Sequence, residues 1–456
     1  MCTGYAPISR ASHWLSRPVI SSTADVYPFT FDRIRDYEQR LPQHNTSLQS
    51  PEGVNGRTLT FSNEVWGLGL NNQLNNRLVL SHLAYLSNRS YVFHDIMFGD
   101  EWEDGIWYPL NTFISGPTAG GPFPLSAASS PRAISVDYWR QICPKERRNV
   151  LEVDAINKEL DSLGQVDGAL LLERWAEKLR AIPDTCVEIS YMSEHIIDFH
   201  FFGSRKSLSL LLSLLDSPMI SHFRWSDVVL HAVAHNIPLI AHNHSAYVTL
   251  STHVSSLASN GFATDVSQTA VSSARITQEL SNVLAIHIRR GDYLSHCKHM
   301  ASYGSGYNSW NLLPSLPDAY NPPIETKEGN DLDEFMRHCW PSVDDVVQRV
   351  REVKRDYEEQ GRENLRAIYV LTNGKQPWIG DLKESLLTSG MGWEHVTSSR
   401  DLKLNSEPEK LASQAVDMEI ARRAALFVGN GFSTMTANIL MLRLANGAPA
   451  QTTRFW

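Results

Sequence analysis

Leu284-Ala285-Ile286-His287-Ile288-Arg289-Arg290-Gly291-Asp292-Tyr293 is the stretch that decides the fold. An apolar run of strand character carries a histidine, then delivers two arginines, a glycine and an aspartate to its carboxyl end. That is the edge at which open α/β sheets hold their ligands. Arginine presents a planar fork of donors that keeps its charge and matches two phosphate oxygens at once, so the ligand expected here is anionic. Side chains alternate along a strand, so His287 and Arg289 share one face and Arg290 and Asp292 share the other. The first pair is expected to meet the ligand and the second to brace the loop as an ion pair, with the strand ending at Gly291, where glycine permits the turn. An ordinary solvated loop is the bland alternative, and the tripeptide Arg290-Gly291-Asp292 is too short to support a cell-adhesion reading.

Beyond this strand the chain alternates. An irregular stretch from Ser295 to about Trp340 is followed by a charged amphipathic helix from Val343 to Gln360 and the strand Ala367 to Thr372. A helix around Trp378 to Leu387, a strand near Trp393 to Thr397, a helix from about Glu407 to Ala425, the strand Leu426 to Gly429 and a helix opening near Ser433 complete the carboxyl half. On the amino-terminal side, Thr58-Leu59-Thr60-Phe61 reads as a strand. After it come the turn Trp66-Gly67-Leu68-Gly69-Leu70-Asn71-Asn72-Gln73, an amphipathic run from Leu74 to Leu86 and a strand at Tyr91 to Phe93, which makes a βαβ unit with its glycines in the first turn. A dinucleotide fold would want a third glycine where Asn72 stands, so an oxidoreductase is disfavoured. Phe98 to about Ser135 reads as an inserted loop region; Val187 to Ile189 and Ile196 to Phe202 read as strand-like, Leu208 to Leu215 as a core helix, and Trp225 to Ala234 as helical. The Ser/Thr-rich segment Ser251 to Ser281 suits a domain crossing. The expected architecture is α/β, with an irregular lead-in over residues 1–56 and two Rossmann-like domains over 57–265 and 266–456, facing each other across a cleft.

Near the carboxyl end, Gly429-Asn430-Gly431-Phe432-Ser433-Thr434-Met435-Thr436 has what a phosphate cradle requires: glycines, then the hydroxyls of Ser433, Thr434 and Thr436 at a helix amino terminus. A simple helix cap would explain one of those hydroxyls. Asp417, on the preceding helix, can accept two donors from a guanine edge, or can be an ordinary helix acid.

Taken in order, the Gly-Leu-Asn-Asn-Gln turn, His-Ile-Arg-Arg-Gly-Asp, Asp-Met-Glu-Ile and Phe-Val-Gly-Asn-Gly-Phe-Ser-Thr resemble the GDP-fucose-dependent fucosyltransferase superfamily. That superfamily includes protein O-fucosyltransferases, α1,6-fucosyltransferases and rhizobial nodulation fucosyltransferases. The resemblance spans about Phe61 to the carboxyl terminus. It implies a GT-B fold with the donor held mainly by the second domain, no metal and no cofactor beyond GDP-fucose itself as donor substrate. By the same resemblance His287 and Asp417 would recognise the guanine and ribose end. Arg289 would bind the β-phosphate and stabilise its developing charge, which makes it the catalytic residue. Ser433 and Thr434 would donate to the diphosphate, and Asn72, with Gln73 beside it, would reach it from the first domain. Arg290 and Asp292 are counted with these as substrate-binding positions. Some relatives carry a glutamate immediately before the Gly-x-Asn turn and others one ten residues after the motif histidine; here those places hold Leu68 and Cys297. Glu64, Asp95 and Asp292 are then candidate bases by location alone. The implied partner is a protein or glycan acceptor, with protein serine or threonine the expected class. A GDP-sugar-binding protein without turnover, a transferase using another GDP-sugar such as GDP-mannose, and a purely structural scaffold are the competing readings.

Composition is consistent with this. The net charge of -9, from 50 acidic against 41 basic side chains, disfavours a nucleic-acid or anionic-membrane binder, and 42% apolar residues with 12 Trp can bury a large core. No CxxC pair or His/Cys spacing suits zinc. Cys143 with Cys186, and Cys297 with Cys339, can close loops as disulfides in an oxidising compartment, or all four can be buried thiols. The sequons at Asn45, Asn88 and Asn243 fit a secretory route. No apolar run reaches a membrane span and the amino terminus shows no signal peptide. The expected location is therefore the ER or Golgi lumen if an anchor precedes Met1, and the cytoplasm otherwise.

Overall fold

In chain order the strands are β1 (Thr58–Phe61), β2 (Ser90–Phe93), β3 (Ile96–Phe98), β4 (Ile106–Tyr108), β5 (Ile134–Ser135), β6 (Arg148–Leu151), β7 (Cys186–Ile189), β8 (Val283–Ile288), β9 (Ala367–Thr372), β10 (His395–Ser398), β11 (Leu426–Gly429) and β12 (Thr453–Phe455). The computed structural model describes residues 28–63, 68–99, 105–162, 166–241, 280–321 and 330–456. Ten of the strands form two parallel sheets, ordered β5-β2-β1-β7-β6 and β10-β9-β8-β11-β12; β3 and β4 make a separate antiparallel hairpin. Each sheet reverses its winding once, between β1 and β7 in the first and between β8 and β11 in the second. Such reversals open a crevice beyond the carboxyl ends of the strands. The result is the two-domain α/β arrangement of the GT-B class.

The second sheet shows why its sequence folds as it does. Both β8 and β9 are buried along their whole length, as strands covered on two faces must be. Leu284, Ile286 and Ile288 pack one face of β8 against Val346, Val350, Val353, Leu382 and Leu386, while Val283 and Ala285 belong to the larger core on the other face. Each such side chain removed from water contributes about 1.5–3 kcal/mol. His287 continues the face of Val283 and Ala285 and meets the helix Thr434–Ala445 through Thr436. The helix Val343–Glu359 opens with a capping box between Ser342 and Asp345.

Several expectations change. Ile196 to Phe202 is not a strand: Ile196 and Ile197 are core residues, and Asp198 caps the short helix Phe199–Phe202 by accepting from Phe201 N at 2.7 Å. The stretch read as irregular before Trp340 contains the helices Tyr293–Ser302 and Asn330–Cys339, tied by the Cys297–Cys339 disulfide. A second disulfide joins Cys143 to Cys186. The long helix read from Glu407 divides at Ala412 into Glu407–Leu411 and Ser413–Arg423, the first carrying its own capping box from Ser406 and Glu409. The region after Phe98 holds the β3–β4 hairpin and short 3-10 turns, and the lead-in holds the helix Phe31–Gln39. Helix Asp227–Ala241, grouped above with the first domain, packs on the second: Leu239 O accepts from Thr397 Oγ1 at 3.1 Å, Lys403 O from Asn236 Nδ2 at 2.9 Å, and His231 pairs with Glu409 at 2.8 Å. Residues 1–27, including Cys2, lie outside the described residues, as do the Trp66-Gly67 pair, Glu64, Asn243, and 251–279 of the expected crossing with the 265/266 boundary inside it. Among the described residues no helix is long and apolar enough to cross a membrane.

Candidate active site

Arg289 follows the last residue of β8 and stands at the second sheet's reversal point. The strand ends at Ile288, where the apolar run from Val283 ends, and Gly291 supplies the turn beyond it with a φ of +70°. The Arg289 guanidinium lies 4.6 Å over the Tyr293 ring, while its Nε, shut away from solvent, has no hydrogen-bond partner among the described residues. Tyr293 in turn donates to Phe432 O at 3.4 Å, which places this cation beside the 429–434 turn. A buried donor left unpaired on a fixed positive charge is unfavourable unless a ligand satisfies it. His287 is buried, with Nδ1 bonded to Thr436 Oγ1 at 2.9 Å and its carbonyl accepting from Trp456 Nε1 at 2.8 Å. Burial, with the Arg289 charge adding to it, pushes the imidazole down to about 3, so this ring is neutral.

Arg290 does not pair with Asp292. Its guanidinium is sandwiched between Trp340 at 4.4 Å and Trp378 at 4.3 Å and donates to Pro341 O, while its backbone N–H donates to Asn373 Oδ1 at 2.6 Å. Two indole faces and a carbonyl outcompete a carboxylate that stays exposed at the N-cap of the helix Tyr293–Ser302. Burial lowers the Arg290 guanidinium to about 10, which still leaves it charged.

The turn after β11 is built for closeness. A Cβ on Gly429 would lie 2.3 Å from Thr436 Cγ2, and one on Gly431 would lie 2.4 Å from the Tyr307 ring. Glycine is required there by packing, since neither residue has a positive φ. Asn430 Oδ1 accepts from Phe432 N at 3.0 Å, and Asn311 Nδ2 donates to Gly431 O at 3.0 Å and Ser433 O at 3.3 Å. The carbonyls are thereby turned inward, and the helix Thr434–Ala445 starts with no side-chain cap at Ser433. Its first N–H groups and its positive end remain for an anion. Thr436, grouped with the ligand hydroxyls in the sequence, instead faces inward to His287.

Asp417 is buried, with Tyr369 OH on one oxygen and Ser399 Oγ on the other at 2.9 Å. Burial raises its carboxyl to about 7, against the opposing pull of these donors and Arg400. It lies at the carboxyl ends of β9 and β10, one strand further along the sheet than Arg289.

From the first domain, the helix Leu70–Leu86 also begins uncapped, and a Cβ on Gly69 would meet nothing within 4 Å. Asn72, partly exposed, shares an interdomain crevice with Leu68, Asn76, Asp198, Phe202, Gly203, Asn308 and Thr434. Gln73 is not available to a ligand. It is 1% exposed, its Nε2 donates to Leu68 O at 2.7 Å and Met97 O at 2.6 Å, and its Oε1 accepts from Met97 N at 3.2 Å. Direct bonds also join the two domains: Asn438 Nδ2 to Asn71 O at 3.0 Å and Trp225 Nε1 to Glu419 Oε2 at 3.0 Å.

Sequence reading missed Tyr293, Asn308, Asn311, Asn76 and Asp198. The asparagines carry no motif spacing, and Asp198 was hidden in a run read as strand. Of the bases suggested by location, Asp95 is committed to Arg35 at 2.8 Å, Asp292 is not among the residues lining the interdomain crevice, and Glu64 lies outside the described residues. Among the described residues no three His, Cys, Asp or Glu side chains converge on a metal-sized site.

Comparison with solved structures shows this chain to be similar to crystal structures of POFUT1. The complex with GDP in crystal form III has 14% identity and a TM-score of 0.47, covering 88% of this chain and 99% of that one. The complex with GDP-fucose in crystal form I has 13% identity and a TM-score of 0.49, covering 90% and 99%. The apo form has 13% identity and a TM-score of 0.48 over the same shares. No protein-family model and no curated protein matches the chain.

Proposed function

We propose that the chain is a glycosyltransferase that binds a nucleoside-diphosphate sugar between its two sheets. More specifically, it is a GDP-fucose-dependent fucosyltransferase that acts with inversion on an acceptor hydroxyl, serine or threonine of a protein being the acceptor class. One observation carries the reading: Arg289, charged and with an unpaired Nε, stands at the sheet's reversal point beside a turn whose helix begins uncapped at Ser433. As the sugar departs it gains oxocarbenium character while the diphosphate gains negative charge. A fixed guanidinium and the helix amino terminus stabilise that charge more in the transition state than in the ground state. These groups supply the neutralisation that a divalent ion would otherwise provide. In this reading Asp417 and His287 serve the nucleoside end, and Asn72 serves the diphosphate from the first domain.

The test is to incubate the protein with GDP-fucose in EDTA and follow the anomeric signals by NMR. Release of fucose with inverted configuration, lost in Arg289→Ala, is the expected result. Binding without turnover would make the chain a GDP-sugar receptor, and turnover of GDP-mannose in preference would reassign the donor.

A further inference from the structure

We propose that Asp198 is the carboxylate that takes the proton from the acceptor hydroxyl; the assignment rests on the transfer reading above. Asp198 lies on the segment leaving the carboxyl end of β7, and β7 neighbours β1 at the first sheet's reversal point. It lies beyond the carboxyl edge of the first sheet, on the crevice that Asn308 and Thr434 line from the second domain. Among the described residues lining that crevice, Asp198 is the one ionisable side chain, set with Asn72 and Thr434.

Its two oxygens are differently placed. One accepts from Phe201 N at 2.7 Å, which fixes the side chain, and the other makes no bond among the described residues. Asn76, 4% exposed, also lines the crevice; its Nδ2 donates to Ile197 O at 3.4 Å and its buried Oδ1 has no partner among the described residues. A buried amide oxygen left unsatisfied is unfavourable until a donor reaches it, and an incoming hydroxyl-bearing group supplies one. Leu68 and Phe202 add apolar walls beside this exposed carboxylate. The same segment begins with Tyr191 and Met192, 48% and 82% exposed, which offer apolar surface at the carboxyl edge of the sheet.

The step balances. The acceptor's O–H proton passes to the free oxygen of Asp198. The acceptor oxygen bonds to the anomeric carbon on the face opposite the diphosphate. The bond from that carbon to the β-phosphate oxygen breaks with its electron pair going to the phosphate, where Arg289 receives the charge. Neither oxidant nor metal is needed.

The experiment uses the full chain, GDP-fucose and water as surrogate acceptor, with and without azide. Asp198→Asn keeps an acceptor for Phe201 N, so the local fold is retained. The expected result is GDP release slowed by about a hundredfold or more, as loss of a general base gives, with GDP affinity and Tm unchanged. Azide has no proton to lose, so it should restore turnover of Asp198→Asn and yield fucosyl azide. Wild-type turnover in Asp198→Asn, or failure of azide to restore it while GDP still binds, would overturn the assignment. Absence of GDP release by the wild type with either nucleophile would remove the transfer reading itself, and the assignment with it.

Discussion

Two adjacent arginines have opposite fates. Arg289 is left with an unpaired donor beside an anion-ready turn, whereas Arg290 spends its fork on Pro341 and two tryptophans. Arg290→Lys keeps the charge but loses the planar stack and the fork. It should destabilise the protein by about 2 kcal/mol in urea unfolding while leaving GDP affinity within about threefold of wild type. Asp417 provides a second residue-scale prediction. Its folded carboxyl, raised to about 7 from the ordinary 3.8, holds its proton over a range in which the unfolded chain has lost it. The folded state binds more protons there, so stability falls as pH rises from about 4 to about 7 and the slope vanishes above that. Asp417→Asn should lose less stability than wild type between about pH 4.5 and about pH 7.5; an identical loss would show that Asp417 does not titrate in that window. The sequence placed Arg289 and Arg290 on opposite faces correctly, but could not foresee Trp340 and Trp378 arriving from distant segments. A side chain's competitor for a partner is a tertiary fact.

Elements with continuous apolar runs were legible. β8, β9 and β11 fall where Val283 to Ile288, Ala367 to Thr372 and Leu426 to Gly429 read as strands, because residues buried on both faces leave no ambiguity of period. The helices Tyr293–Ser302 and Asn330–Cys339 were not legible, since a disulfide and burial hold segments whose composition suggested loop. In the turn after β11 the glycines were visible but their reason was not: packing against Thr436 and Tyr307, not backbone conformation, requires them. Gly429→Ala should displace Thr436 from His287 and lower stability by about 1–3 kcal/mol, with weakened GDP binding as the accompanying sign. Equal stability and affinity in that variant would mean that the turn can relax without moving the site.

At the scale of the molecule, two reversal points face each other, and each helix that starts there, Leu70–Leu86 and Thr434–Ala445, begins without a side-chain cap. The domain contacts through Asn438, Asn71, Trp225 and Glu419 hold that geometry. Periodicity revealed two α/β halves, yet the packing of helix Asp227–Ala241 on the second sheet was invisible to it, because an apolar face does not say which sheet it covers. The central claim is that Arg289 anchors a guanosine diphosphate between these halves. Calorimetric titration with GDP, GDP-fucose and UDP, in EDTA, on wild type and Arg289→Ala tests it most directly. Selective binding of GDP and GDP-fucose by the wild type, weakened by about a hundredfold or more in Arg289→Ala, is the predicted result. Equal affinity for UDP, or GDP binding unchanged by the substitution, would contradict it.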